Sequence, residues 1–332
     1  MHHVILHSKH VRVNNNNLSE LAVKYSKEEL LLPRWDAPVF LEASVTSSKD
    51  TLNQVADFMI LGNTINFAYT NFSTGIDYAH SYKGIGWRGA FGMWSALKNA
   101  FEEGKPILDG GYLSTLKLGD MKEIFEPSKL TLQTMPMIKE RAKILREVGK
   151  MLTEKYDGHF HNMLTKSDGR IFDANKGFIR MLLNDFPSFR DRAIYKGQEV
   201  VFNKRAQLAT FMLYEKLLGT SFSPLFVQED VDKLTVAADY ELPKVLHIVG
   251  VLEYQPDLEK KIKKGRLIKA GSEEEVEIRA NTTYASEQIK DLINSMRDSS
   301  RRVNALHIDY RLWKEGEGRT DVKHHLTKTT AY

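Results

Sequence analysis

A chain of 332 residues in which 42% of side chains are hydrophobic and 27% charged has ordinary globular composition, enough for one large or two ordinary domains and not that of a disordered or membrane protein. The net charge of +4 is spread along the chain rather than gathered into the basic stripe of a duplex-binding protein. With no cysteine, disulfides, thiolate metal sites and a thiol nucleophile are excluded together, and any nucleophile is oxygen or nitrogen.

No apolar run reaches the ~18 residues that span a bilayer, and the opening MHHVILHSKH carries no signal-peptide pattern. The expectation is a cytoplasmic protein. Residues 4–13 alternate apolar and polar, which predicts an entry strand or extended arm, broken at Asn14-Asn15-Asn16-Asn17 before a helix. Ser26-Lys27-Glu28-Glu29 has the pattern of a second helix start ahead of Pro33, and Trp35 and Phe40 read as aromatic anchors of a connecting segment.

Leu52, Val55, Phe58 and Met59 stand at helical spacing, with Gly62 as the expected stop. The stretch 63–89 is dense in aromatic, Asn, Ser and Gly residues. Such a composition suits rings stacked on a flat ligand and equally a hairpin whose aromatics fill one face. A helix over 90–103 closes at Gly104, short helical pieces follow near 112–116 and 121–125, and a long helix is predicted over 136–156. In that long helix Glu140, Arg141, Lys143 and Arg146 are expected on the solvated face. His159 and His161 are two apart, the spacing of one side of a strand, but with no accompanying carboxylate cluster in the sequence they do not predict a metal site.

Residues 202–254 organise the rest. Leu208, Phe211, Met212 and Leu218 mark an amphipathic helix ended by Gly219, and Pro243 is placed to open another that closes at Gly250. Asp239 falls in the junction before that helix, next to its positive end, and Lys204 starts the earlier helix. Farther on, Ser272-x-x-Glu275 has capping-box spacing, Val303 to Trp313 form a last packed helix, and 314–332 reads as a polar, frayed tail. No internal repeat, Walker loop, GxGxxG, GxSxG or HExxH is present, which removes support for phosphoryl transfer, dinucleotide binding and zinc-protease chemistry.

The run Lys204-Arg205-Ala206-Gln207, then Leu234-Thr235-x-x-Ala238-Asp239-Tyr240-x-x-Pro243 and Leu246-x-x-x-Gly250-x-Leu252-x-Tyr254, resembles the queuosine salvage family, nucleosidases that release queuine from queuosine 5′-phosphate. The resemblance extends through Asn66-Phe67, Trp87-Arg88-Gly89, Glu140 to Gly149, Asn184-Asp185-Phe186-Pro187-Ser188-Phe189-Arg190-Asp191 and Gly271 to Ala280, roughly residues 4–315. It implies a mainly α fold with a minor β element at the N-terminal side, related to the helix-hairpin-helix DNA glycosylases. One glycosidase unit is expected over 1–313, either undivided or in lobes near 1–135 and 136–313.

Hydrolysis of an N-glycosidic bond passes through an oxocarbenium-like sugar and needs a carboxylate near C1′, a positioned water and a stabilised leaving base. Asp239 is the carboxylate that the resemblance selects. Lys204 is its partner, holding the substrate or tuning the Asp. Asn66, Phe67, Trp87, Arg88, Asp185, Phe186, Arg205, Tyr240 and Glu241 are the expected substrate contacts, with no metal and no cofactor. The expected partner is a small nucleotide, with neither DNA nor membrane; the sequence does not define the oligomeric state. Two departures stand out: Glu241, where the family typically has a basic residue, and Ala68-Tyr69-Thr70-Asn71, where members tend to be Trp-rich. They bear on base identity and on the 5′-phosphate more than on the reaction. The competing readings are a non-catalytic protein that binds a modified nucleotide or RNA, and a glycosidase for another deazapurine or purine nucleotide.

Overall fold

The computed structural model describes residues 1–332 except 130, 168, 224, 225, 227 and 320, and the side chain of 228. The chain is mainly helical, with three small antiparallel ladders among the described residues: Val11–Val13 with Leu252–Tyr254, Ala79–Tyr82 with Ile85–Arg88, and Arg192–Tyr195 with Gln198–Val201. It divides into two compact units built from alternating segments. The first holds 1–33, 191–207 and 231–329, and the second holds 34–190, 208–230 and 330–332. Neither is a lobe cut near residue 135.

The first unit is built on the helix Glu273–Ser295, whose N-terminus is capped by Ser272 Oγ accepting from the Glu275 amide. This helix buries Glu275, Glu277 and Arg279 together with Val276, Ile278 and Ala280. Charged groups so enclosed must be paired. Arg279 grips both oxygens of Asp191 at 2.8 and 2.6 Å. Glu277 Oε2 accepts the amides of Lys9, His10 and Val11, and its Oε1 accepts the Tyr195 hydroxyl.

Three local expectations change in this unit. Residues His2–His7 are helical rather than extended, because burying Val4 against Tyr195, Val200, Phe202, Val276 and Ala280 outweighs the alternation. No helix starts at Ser26. That residue ends the helix Asn15–Ser26, and the carbonyls of Tyr25, Ser26 and Glu28 are taken by the Arg297 guanidinium. The tail is packed rather than frayed: His325, Leu326 and Thr327 are buried, and Leu326 O accepts the Ile268 amide at 2.8 Å. A few well-placed residues suffice where the tail as a whole is polar.

The second unit carries the helices Lys49–Thr64, Gly89–Glu102, Ile138–Lys155, Phe160–Lys166 and Phe178–Asp185, and most of Lys204–Leu217. The first of these runs through Gly62. A Cβ there would lie 2.0 Å from the Trp94 ring, so this glycine lets an aromatic approach a helix rather than ending it. Phe40 packs against Trp35, Phe91 and Trp94, as expected of anchors. Arg141 is fully buried, not solvated. Its guanidinium lies 4.2 Å from the Phe67 ring centre and donates to the carbonyls of Phe67, Ala68 and Pro136, backbone acceptors that no ladder satisfies.

Candidate active site

The local fold explains how Lys204 and Asp239 meet in the first unit. Asp191 Oδ2, held by Arg279, accepts the Lys204 amide at 3.1 Å at the start of the helix Lys204–Leu217. One turn on, Gln207 Oε1 accepts the Thr235 amide and its Nε2 donates to Phe202 O, which ties the helix start to the segment leading into Ala238. Arg279 Nε donates to Ala238 O at 3.1 Å. One guanidinium therefore fixes the backbone beside both charged residues.

Asp239 Oδ1 accepts the Glu241 amide at 2.8 Å and, more weakly, that of Leu242 at 3.5 Å, at the N-terminus of the helix Glu241–Ile248. That helix opens two residues before Pro243, which sits inside its first turn. The second oxygen, Oδ2, lies 3.6 Å from Lys204 Nζ, with side-chain exposures of 18% for the Asp and 5% for the Lys. This separation is an ion pair without a direct hydrogen bond. One oxygen is anchored by backbone and the other faces the lysine.

Burial pulls the Lys204 ammonium below the usual lysine range, opposed by the carboxylates of Asp239 and Asp309. Asp309, on the helix Ala305–Gly316, was not singled out in the sequence. It is buried, with Oδ2 accepting the Ala237 amide at 2.7 Å, and burial together with the Asp239 charge pushes its carboxyl up to about 7. The cluster thus holds one lysine and two carboxyls with unlike environments, the arrangement that separates proton-holding from charged roles. A signal was present in the sequence: Asp309 interrupts the apolar face Leu306, Asp309, Leu312.

Tyr240 stacks on His324 at 4.3 Å, and Glu241 pairs with Lys244 while burial raises its carboxyl. Arg205 is enclosed within the unit, 1% exposed. The remaining expected contacts belong to the second unit. Asn66 is buried, donating to Asn63 Oδ1 and accepting from the Tyr69 hydroxyl, and Phe67 is buried under Arg141. Trp87 is half-buried and stacks on Phe91, while Arg88 is exposed and precedes the helix Gly89–Glu102. Asp185 accepts from Lys155 and Tyr156 beside a cavity of about 600 Å³, and Phe186 packs on Tyr156 and Phe160.

The His159–His161 pair lies at a turn and helix start rather than on a strand, and the carboxylate of Asp57 stands against both rings. No described helix is long and apolar enough to cross a membrane.

The family profile described as queuosine salvage protein matches residues 45–332. A protein of Sphaerobacter thermophilus named queuosine 5′-phosphate N-glycosylase/hydrolase is 30% identical over 99% of this chain and 95% of its own length. One of the same name from Mus musculus is 32% identical over 89% of this chain and 87% of its own, and one from Dictyostelium discoideum is 28% identical over 98% and 95%. On this match along most of its length, the chain belongs to the queuosine salvage protein family.

Proposed function

We propose that this chain hydrolyses the N-glycosidic bond of queuosine 5′-phosphate, or of the nucleoside, with Asp239 and Lys204 as its catalytic pair. The observation that carries the reading is the divided carboxylate of Asp239, with Oδ1 held by the Glu241 amide and Oδ2 turned toward Lys204 Nζ. The names of the family's members supply the substrate class.

As the bond from C1′ to the base breaks, its electron pair leaves with the base and positive charge develops on the ribose. Asp239 Oδ2 stabilises that charge and takes a proton from the attacking water, whose oxygen becomes the new hydroxyl at C1′. The departing base takes its proton from solvent and Asp239 returns its own to solvent, so that one water is added across the bond in all. Lys204 orients the carboxylate from 3.6 Å, and Asp309 stands close by with its carboxyl pushed up to about 7.

Incubation with synthetic queuosine 5′-phosphate, followed by chromatography, should show free queuine and ribose 5-phosphate. No release at high enzyme concentration would rule out this substrate. A panel of purine and deazapurine nucleotides run in parallel reads out base identity, which Glu241 brings into question. Tight binding without release from any of them would favour a binding protein.

A further inference from the structure

Asp57 lies in the middle of the helix Lys49–Thr64 and is 3% exposed. A carboxylate enclosed there needs strong partners. Its Oδ1 accepts the His161 amide at 2.6 Å, and its Oδ2 is 2.8 Å from His161 Nδ1 and 3.4 Å from His159 Nδ1. The two imidazoles come from the turn after Gly158 and the first turn of the helix Phe160–Lys166, and they stack with centres 5.2 Å apart. The three donor atoms all lie within 4.8 Å of one another.

We infer that Asp57, His159 and His161 form a binding site for one divalent transition-metal ion of the zinc type, made of residues that the proposed reaction does not use. Metal–ligand bonds of about 2.0–2.2 Å at the angles of tetrahedral or five-coordinate sites place neighbouring donors roughly 3 Å apart, close to the 2.8 and 3.4 Å found. Two imidazoles and one carboxylate select zinc, cobalt or nickel over magnesium or calcium. Leu108 O lies 3.1 Å from His159 Nδ1.

The donors open on a cavity of about 420 Å³ that is also lined by Asn53 and Asp109, which gives room for a water ligand. Asp57 and the histidines are about 100 residues apart in sequence and sit on different helices. A shared ion would therefore staple the helix Lys49–Thr64 to the helix Phe160–Lys166 and stabilise the folded state by mass action.

The test uses the full chain, stripped with a chelator. His3 and His7, one helical turn apart with ring centres 4.5 Å from each other, are a competing chelate, so the measurements are made in a His3→Ala/His7→Ala background. Calorimetric titration with Zn²⁺ should show one equivalent bound, and Co²⁺ should give visible absorption of a low-symmetry site. His159→Ala/His161→Ala should weaken binding at least 100-fold. A Zn²⁺ concentration 100 times Kd should raise Tm by about 4 °C, and Asp57→Asn should abolish the rise. If a variant fails to fold, diethylpyrocarbonate labelling of the background protein decides instead, with Zn²⁺ expected to protect His159 and His161. Absence of stoichiometric binding, binding unchanged in the variants, or equal labelling with and without Zn²⁺ would overturn the inference and leave a hydrogen-bonded His–Asp group.

Discussion

Two buried ion pairs in the first unit are built from the same ingredients and set to opposite ends. Arg279 and Asp191 are 2% and 5% exposed and meet through two short parallel hydrogen bonds. Lys204 and Asp239 meet at 3.6 Å, one oxygen of the Asp is spent on backbone amides, and the Asp side chain is 18% exposed. The guanidinium fork removes all slack from the first pair. The second keeps an oxygen with a weak partner, and a weak partner is what a reacting sugar or water can displace. The tight pair fixes the backbone beside the loose one, and the loose one is the pair we propose for the chemistry.

The largest expected effect breaks the loose pair. Asp239→Asn should lower kcat about 10³-fold, within the roughly 10²–10⁴ contributed by a positioned acid–base group, while ligand affinity stays within about tenfold. Retained turnover in single-turnover assays would remove Asp239 from the reaction. The tight pair should fail differently. Arg279→Ala leaves Asp191 enclosed and unpaired and should cost about 3–5 kcal/mol in urea denaturation, and Arg279→Lys should recover little of it, because an ammonium cannot span both oxygens. If Arg279→Ala changed kcat and left stability untouched, the contrast between the two pairs would collapse.

Lys204→Ala sharpens the comparison. We expect kcat to fall about 10²-fold on nucleotide and nucleoside alike, as for loss of one charge-stabilising donor. A normal kcat with a KM defect confined to the nucleotide would assign Lys204 to the phosphate. The smallest effect concerns Asp309. An unfolded chain ionises this carboxyl near the ordinary value of 3.8, whereas the folded protein retains its proton up to about 7. The stability it contributes is present below about pH 4 and is lost as pH rises toward 7. Asp309→Asn removes this dependence and should gain on the wild type progressively across that window. Urea midpoints that run parallel for the two proteins from pH 4.5 to 7.5 would contradict it.

Lys204 and Asp239 were legible because their neighbours form recognisable runs, and the glycine-ended helices around them followed from spacing. Asp309 and Arg279 were harder to see. Asp309 is a single charge on an otherwise apolar helix face and Arg279 is one of three buried charges on its helix, and only the fold shows that the carboxyl borders Ala237 while the guanidinium borders Ala238. Arg141 was misread for the same reason, since a basic residue on a long helix usually faces water. Asp57 carries no local mark at all, because its partners are about 100 residues away. Gly62 shows the converse, in that a helix-stopping residue marks a close approach when an aromatic ring needs the space.

The carboxylate of Glu277 gathers three consecutive amides, those of Lys9, His10 and Val11. Lys9 and His10 belong to neither a helix nor a strand, yet their protons are held by a side chain in the most enclosed part of the helix Glu273–Ser295. In amide hydrogen exchange this short linker should therefore keep its protons as long as that helix does and open with it as one cooperative segment, so that irregular backbone near the start of the chain reports on the integrity of a helix more than 260 positions away.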